Sequence, residues 1–352
     1  MLAAQVQIPE ESIRRILVIQ FRPIGDVLLS TPLVHALRDH WPQAFIAFLT
    51  EKIPGEVLRH NPHLDEVIEY RKESVLKSYR FFTSLRRYKF DLAIDLRCTT
   101  GTAGAAYLCG APYRVGYVVR PPRSYAYNLP TENNMTEERY TALKKQILIK
   151  RCGVQQERSD VVYTVSDEER TFAQAYLSSE TDGAFPGNVP LVCLSPTSKR
   201  QSRRWRLAGY AELADRLIAE EGAVVVALSG PNETDFLDEM ETMMHRGPLL
   251  RPRTTVRQAT ALIEASDILM GNDNGLRHLA TAVGTPTVAV FGPGSPTVWS
   301  PPDKPQHQVL RGNVACLGCS KTDCSHHSCM ADVSATEVLE VVRETLAFNP
   351  AA

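Results

Sequence analysis

Short apolar runs and amphipathic stretches alternate along this sequence, and the alternation starts twice. Residues 15–21 (RILVIQF) form a β-branched apolar run that reads as a buried parallel strand. A Pro/Gly loop at 22–25 follows, and then an amphipathic helix is expected over 26–40. Further strands are expected at 45–50, 66–70 and 91–96, with helices over 72–87 and 136–151 and a Gly/Ala/Thr-rich segment at 99–106. Residues 153–190 turn polar, with Gly and Pro near the end, and read as a linker. The second series has strands at 190–196, 223–229, 267–271 and 287–291. Its helices are expected at 207–221, 255–265, 275–283 and 333–348. Strands alternating with helices imply parallel sheets covered on both faces, so the expected class is α/β with two Rossmann-like doubly wound domains, at 13–165 and 186–352. Ligands of such units are expected at the carboxyl ends of the strands, in a cleft between the two sheets.

Composition sets the outer limits. The chain has 352 residues, enough for two buried cores, with 43% hydrophobic and 22% charged residues. No run reaches the ~20 apolar residues that span a bilayer. The N-terminus lacks the basic region and apolar block of a secretory leader, which places the chain in the cytoplasm, with any membrane contact made from the surface. The net charge of −1 conceals a split. Residues 1–165 hold 23 Lys and Arg against 17 Asp and Glu, and the remainder holds 16 against 23. A basic first half suits an acidic partner, such as a phosphorylated glycolipid or an anionic membrane face. No nucleic-acid-binding signature is present.

Four loops at expected strand ends carry polar chemistry. The first is Arg22-Pro23-Ile24-Gly25-Asp26-Val27-Leu28-Leu29. Asp26 sits at a helix start, where it either caps the helix or presents a carboxylate able to act as a general base. Neither a G-x-G-x-x-G fingerprint nor a Walker A loop is present. The second runs Ser195-Pro196-Thr197-Ser198-Lys199-Arg200-Gln201-Ser202-Arg203-Arg204-Trp205, with hydroxyls and four cations that can hold phosphate oxygens. The third is Gly271-Asn272-Asp273-Asn274-Gly275-Leu276-Arg277-His278, a strand–turn–helix junction whose backbone N–H groups favour an anion. The fourth, at 292–296 (GPGSP), reads as a rigid rim loop.

Eight cysteines are present. Cys98, Cys109, Cys152 and Cys193 sit in apolar or small-residue settings and read as buried hydrophobes. Cys316, Cys319, Cys324 and Cys329 form C-x2-C-x4-C-x4-C with His326 and His327 inside it. That spacing could bind a structural zinc, could remain as free thiols, or could form disulfides in purified protein; a catalytic role is not expected of it.

The PIGDVLLSTPLVHALR stretch after the first strand, the SPTS…RRW segment and GNDNGLRHLATAVGTPTVAVFGP together resemble the heptosyltransferases of glycosyltransferase family 9, over nearly the whole chain from about residue 15. The resemblance implies a GT-B fold, with a lipopolysaccharide core acceptor mainly on the N-terminal domain and an ADP-heptose donor mainly on the C-terminal one. It implies that Asp26 is the catalytic base, with Arg22 and Gly25 beside it on the acceptor side. The family's phosphate-binding basic residue falls on Arg203 or Arg204, with Thr197, Ser198 and Lys199 as neighbours. Its D-[ST]-G-x-x-H motif falls on Asp273, Asn274, Gly275 and His278, with Leu276 inside it. Asn274 replaces the usual hydroxyl residue, and its amide could still donate a hydrogen bond. The turn Gly230-Pro231-Asn232-Glu233 resembles the nucleotide-side loop, which would set Glu233 on the ribose. An inverting, metal-independent transfer with no required cofactor is implied, on the cytoplasmic side, with peripheral contact at the inner membrane compatible. The alternatives are the same fold using another nucleotide sugar, a catalytically silent nucleotide binder, and a zinc-dependent interaction protein that would explain only the cysteine segment.

Overall fold

The computed structural model describes residues 8–134, 136–181, 183 and 189–347. The first seven residues, the start of the expected second domain at 186 and positions 348–352 lie outside them. The chain divides into two compact units, Met1–Thr164 and Val165–Ala352.

The first unit is a six-stranded parallel sheet of β1 (Arg15–Ile19), β2 (Phe45–Glu51), β3 (Glu66–Tyr70), β4 (Leu92–Asp95), β5 (Tyr113–Tyr117) and β6 (Leu129–Thr131), in the order β3-β2-β1-β4-β5-β6. Ile16, Leu17, Val18 and Ile19 are fully buried, as an apolar run covered on both faces requires. Ile19 lies level with Leu49 on one side and Asp95 on the other. The chain leaves β1 in one direction for β2 and β3, then returns to β4 on the opposite side. The strand order therefore reverses between β1 and β4, and ligands of doubly wound sheets bind outside the carboxyl ends at such a point.

The helix expected over 26–40 is two helices, Ile24–Leu28 and Thr31–His40. Pro32 sits in the first turn of the second, where a missing N–H breaks no intrahelical bond. Thr31 Oγ1 donates to Leu28 O at 2.8 Å, closing the break. The stretch expected to be helical over 136–151 likewise holds two short helices, Thr141–Lys145 and Ile147–Lys150.

The second unit is a five-stranded parallel sheet of β7 (Leu191–Ser195), β8 (Val224–Ala227), β9 (Ile268–Asn272), β10 (Thr287–Val290) and β11 (His307–Leu310), ordered β11-β10-β9-β7-β8. Its reversal lies between β7 and β9, where Ser195 pairs with Gly271. The buried Trp205 packs edge-on to Tyr210, with centroids 4.9 Å apart. Its Nε1 donates to Val333 O at 3.0 Å, just before the closing helix Ala335–Ala347. Both units are thus doubly wound parallel α/β sheets, the fold class the alternation implies.

Part of the polar stretch read as a linker is a regular helix, Asp167–Glu180, with a capping box between Ser166 and Glu169. Glu169 pairs with the buried Arg257 of the helix Val256–Glu264, so this segment is built into the second unit.

Candidate functional site

In the first unit, Asp26 lies in the first turn of the Ile24–Leu28 helix, just beyond the end of β1 and hence at the β1/β4 reversal. It does not cap that helix: the N-cap is Pro23, with no side-chain capping bond. The carboxylate is left to face two cations. Lys145 Nζ lies 3.5 Å from Asp26 Oδ1, and Arg97 Nη1 lies 3.8 Å from Oδ2. The Asp26 side chain keeps 13% of its surface exposed, so it remains reachable from solvent. Arg97 is aimed by the turn after β4. The fully buried Asp95 accepts from the N–H groups of Arg97 and Cys98, each at 2.9 Å, and from the Tyr127 hydroxyl at 2.7 Å. Burial pushes the Asp95 carboxyl up, and these three donors oppose it. Gly25 is buried in the turn, while the exposed Arg22 leans toward Glu51 at 3.6 Å.

In the second unit, the ends of β7 and β9 are laced together by two asparagines. Asn272 Nδ2 donates to Pro196 O at 2.8 Å, and its Oδ1 accepts from Trp205 N–H at 2.8 Å. Asn274 caps the helix Gly275–Val283, its Oδ1 accepting from Arg277 N–H at 3.2 Å. Its amide nitrogen donates to Ser195 Oγ at 2.7 Å and Thr197 O at 2.9 Å. Both amide protons are therefore used within the protein. An asparagine in place of a hydroxyl residue staples the two strand ends, and the expected donation from this amide to a ligand is taken up by that staple.

The two arginines before Trp205 separate. Arg204 Nε donates to Ser198 O at 2.6 Å, and its guanidinium lies 4.4 Å from the Phe236 ring centre, so it braces the loop. Arg203 Nη1 lies 2.6 Å from Asp273 Oδ2, and its guanidinium stands 5.8 Å from the Trp299 ring centre. Its buried Nε has no hydrogen-bond partner among the described residues. Asp273 is 3% exposed, and burial pushes its carboxyl up, opposed by Arg203, Arg277 and Arg200. His278 is buried, with its ring 6.0 Å from that of Trp299. Arg277, also buried, donates to Trp299 O at 3.2 Å and Ser300 Oγ at 2.8 Å, holding that wall in place.

Two glycines shape this corner. A Cβ on Gly294 would stand 2.9 Å from Asp273 Oδ2, so any larger residue there would have to displace the carboxylate. A Cβ on Gly275 would meet nothing within 4 Å, so the space before the helix N-terminus is open. Thr197 and Ser198 are buried, Leu276 is half-buried and Lys199 is exposed. Glu233 turns back on its own loop, its Oε2 accepting from Gly230 N–H at 3.1 Å.

The four clustered cysteines are free thiols, with Cys316 and Cys319 exposed, Cys324 half-buried and Cys329 buried. Among the described residues no group of three His, Cys, Asp or Glu side chains is placed to hold a metal ion. The segment braces the basic loop and the 292–296 loop: Ser202 Oγ donates to Lys321 O at 2.9 Å, and Ser320 N–H donates to Pro293 O at 3.0 Å.

Sequence reasoning named Asp26, Arg203, Asp273 and Asn274, and each lies at a strand-order reversal. It missed Lys145, Arg97 and Trp299, which approach from distant positions and carry no local motif.

Comparison with known proteins agrees with this architecture. Residues 78–330 match the family model described as glycosyltransferase family 9 (heptosyltransferase). The chain is 26% identical to lipopolysaccharide heptosyltransferase 2 of Escherichia coli K12, over 94% of this chain and 98% of that protein. Its fold is similar to a family 9 glycosyl transferase structure from Veillonella parvula (TM-score 0.82, 21% identity, 96% and 98% of the two chains covered). It is similar too to the structure titled E. coli ADP-heptose lps heptosyltransferase II (TM-score 0.78, 24% identity, 95% and 98% covered). With two doubly wound units, polar groups gathered at each strand-order reversal and a family match over most of its length, the chain belongs to glycosyltransferase family 9, the heptosyltransferases.

Proposed function

We propose that this protein transfers a heptose from ADP-heptose to the inner core of lipopolysaccharide, with inversion at the anomeric carbon. The observation that carries the reading is the Asp26 carboxylate, held at the β1/β4 reversal between Lys145 and Arg97 in a family 9 chain. The first unit takes the acceptor and the second takes the donor. Asp26 accepts the proton of the acceptor hydroxyl as its oxygen bonds to the anomeric carbon. The bond from that carbon to the phosphate oxygen breaks, and ADP leaves with the electron pair. Arg203 and the N–H groups opening the Gly275–Val283 helix meet the charge that develops on the diphosphate. Thr197, Ser198 and Lys199 line the same anion site, and His278 and Asp273 border it. Glu233 is assigned to the ribose, which requires it to release Gly230. No cofactor takes part. The test is ADP release by purified protein given ADP-heptose, with and without a heptose-free core glycolipid. Release that depends on the acceptor supports the reading, whereas ADP binding without release from any core acceptor contradicts it.

Gly275 gives a sharper check on the donor side. Gly275→Ala adds a methyl group into open space at a helix start, so the melting temperature is expected to hold or rise slightly. The same methyl group intrudes where the diphosphate is to sit. The donor KM is expected to rise about tenfold, worth ~1.4 kcal/mol. An unchanged KM would remove the diphosphate from this helix end.

Among the described residues no helix is long and apolar enough to cross a membrane. Contact with the cytoplasmic face of the inner membrane is assigned to the helix Val75–Ser84. Val75, Leu76 and Tyr79 are 89%, 59% and 53% exposed there, amid exposed Arg71, Lys72, Lys77 and Arg80. Arg86, Arg87 and Lys89 extend the basic surface. Binding to vesicles containing anionic lipid is expected to fall steeply as salt rises, and to weaken in Val75→Ser/Leu76→Ser. Salt-insensitive binding would contradict the assignment.

A further inference from the structure

A buried lysine stands behind Asp26, and no local motif announces it. Lys145 ends the short helix Thr141–Lys145, with its side chain 2% exposed. Its ammonium has three donors, and three acceptors surround it. They are the backbone carbonyl of Asp26, Ser30 Oγ at 3.0 Å and Asp26 Oδ1 at 3.5 Å. Ser30 Oγ in turn donates to Asp26 O at 2.8 Å. One side chain thus grips both the backbone and the carboxylate of a single residue. The helix that carries Asp26 spans only Ile24–Leu28, with no side-chain cap; the fully buried Val27 and Leu28 anchor it in the core, and Lys145 and Arg97 are the cations that face its carboxylate.

Resting on the role proposed for Asp26, we infer that Lys145 is a positioning residue, which in its ammonium form holds the Asp26 carboxylate in the orientation that accepts the acceptor's proton. Removing a lysine from water is unfavourable, and a hydrophobic side chain of similar length would fill the same space without that cost. The geometry gives the cost a purpose, because all three donors converge on Asp26 and on the serine bonded to it. The charged groups that act on Lys145 are Asp26 and Arg97, which reaches in from the turn after β4. Burial lowers the Lys145 ammonium to about 8, opposed by Asp26 and assisted by Arg97. The grip is therefore in place at neutral pH and is released as pH rises through that value.

The test uses the full chain with 13C at the lysine ε-carbons. NMR titration is expected to show one lysine titrating near about 8, absent in Lys145→Gln and displaced to lower pH in Asp26→Asn, which removes the attracting carboxylate. A Lys145 signal that ignores Asp26→Asn overturns the proposal. In the transfer assay, wild-type kcat is expected to fall in a single step on the alkaline side near the same value. Lys145→Gln keeps hydrogen bonding but no charge. It is expected to lower kcat about 10–100-fold at neutral pH and to abolish the alkaline step, while ADP binding and melting temperature are retained. Lys145→Arg keeps the charge at all these pH values; it is expected to recover activity over Lys145→Gln, again without the step. An alkaline step that persists in Lys145→Gln overturns the inference. Intact NMR coupling with no heptose transfer by wild type supports the pairing and defeats the reaction proposed above, so the two claims fail separately.

Discussion

Asp26→Asn is expected to lower kcat by about 10²–10⁴-fold, the span that a positioned general base contributes. The substitution keeps the shape of the side chain and removes its ability to take a proton. ADP binding is expected to be unchanged, because every donor-side group named here lies in the second unit. The two cations that flank Asp26 add a structural consequence. With a neutral amide at 26, the buried Lys145 loses its counter-charge, and some stability is lost with it. Kinetics and thermal unfolding therefore belong in one experiment. A folded Asp26→Asn protein that binds ADP and retains more than about a tenth of wild-type kcat would show that the proton is taken elsewhere.

Arg203→Met is expected to cost about 3–5 kcal/mol of stability, because it strips the cation from a nearly buried carboxylate. The sign of its pH dependence follows from Asp273. Burial already pushes that carboxyl up, and loss of Arg203 pushes it further. Where Asp273 is protonated in both proteins there is no ion pair to lose. The destabilisation therefore grows as pH rises through the carboxylate range and is largest at neutral pH and above. Adding Asp273→Asn removes the stranded charge and is expected to return most of the stability. It does not return the arginine, so donor affinity stays at least tenfold below wild type. Thermal unfolding across pH, paired with ADP titration, separates the two effects. If the double variant regained donor binding as well, Arg203 would be a structural partner of Asp273 and not a phosphate ligand.

The alternation of strand and helix was legible because β1, β2, β4, β7, β9 and β10 are runs of apolar residues buried on both faces. The elements that escaped detection lack that signature. β5 is YRVGY, β6 is three residues with a proline, and β11 is HQVL; β6 and β11 are edge strands, where one side needs no cover. The helix Thr100–Leu108 (TGTAGAAYL) is made of small residues and shows no polar face to read. The helix Asp167–Glu180 had a readable start in Ser166-Asp167-Glu168-Glu169, a capping box, and was lost to its overall polarity.

The candidate site divides along the same line. Asp26, Arg203, Asp273 and Asn274 belong to strand-end loops, whose position follows from the α/β pattern alone. Lys145 reaches Asp26 across 119 residues, and Arg97 depends on a turn set by the buried Asp95. Contacts of this kind come from strand order, which a single sequence does not spell out. The role of Asn274 also needed coordinates, since only they show both amide protons committed to Ser195 and Thr197.

Product analysis decides whether a heptose is transferred to a lipopolysaccharide core. Wild-type protein would be incubated with a heptose-free core glycolipid and an equimolar mixture of ADP-heptose, UDP-glucose and GDP-mannose, and the glycolipid then examined by mass spectrometry. The expected product is heavier by a single heptose, with ADP formed in equal amount and no hexose adduct. A hexose adduct, or ADP formed at the same rate without glycolipid, would contradict it.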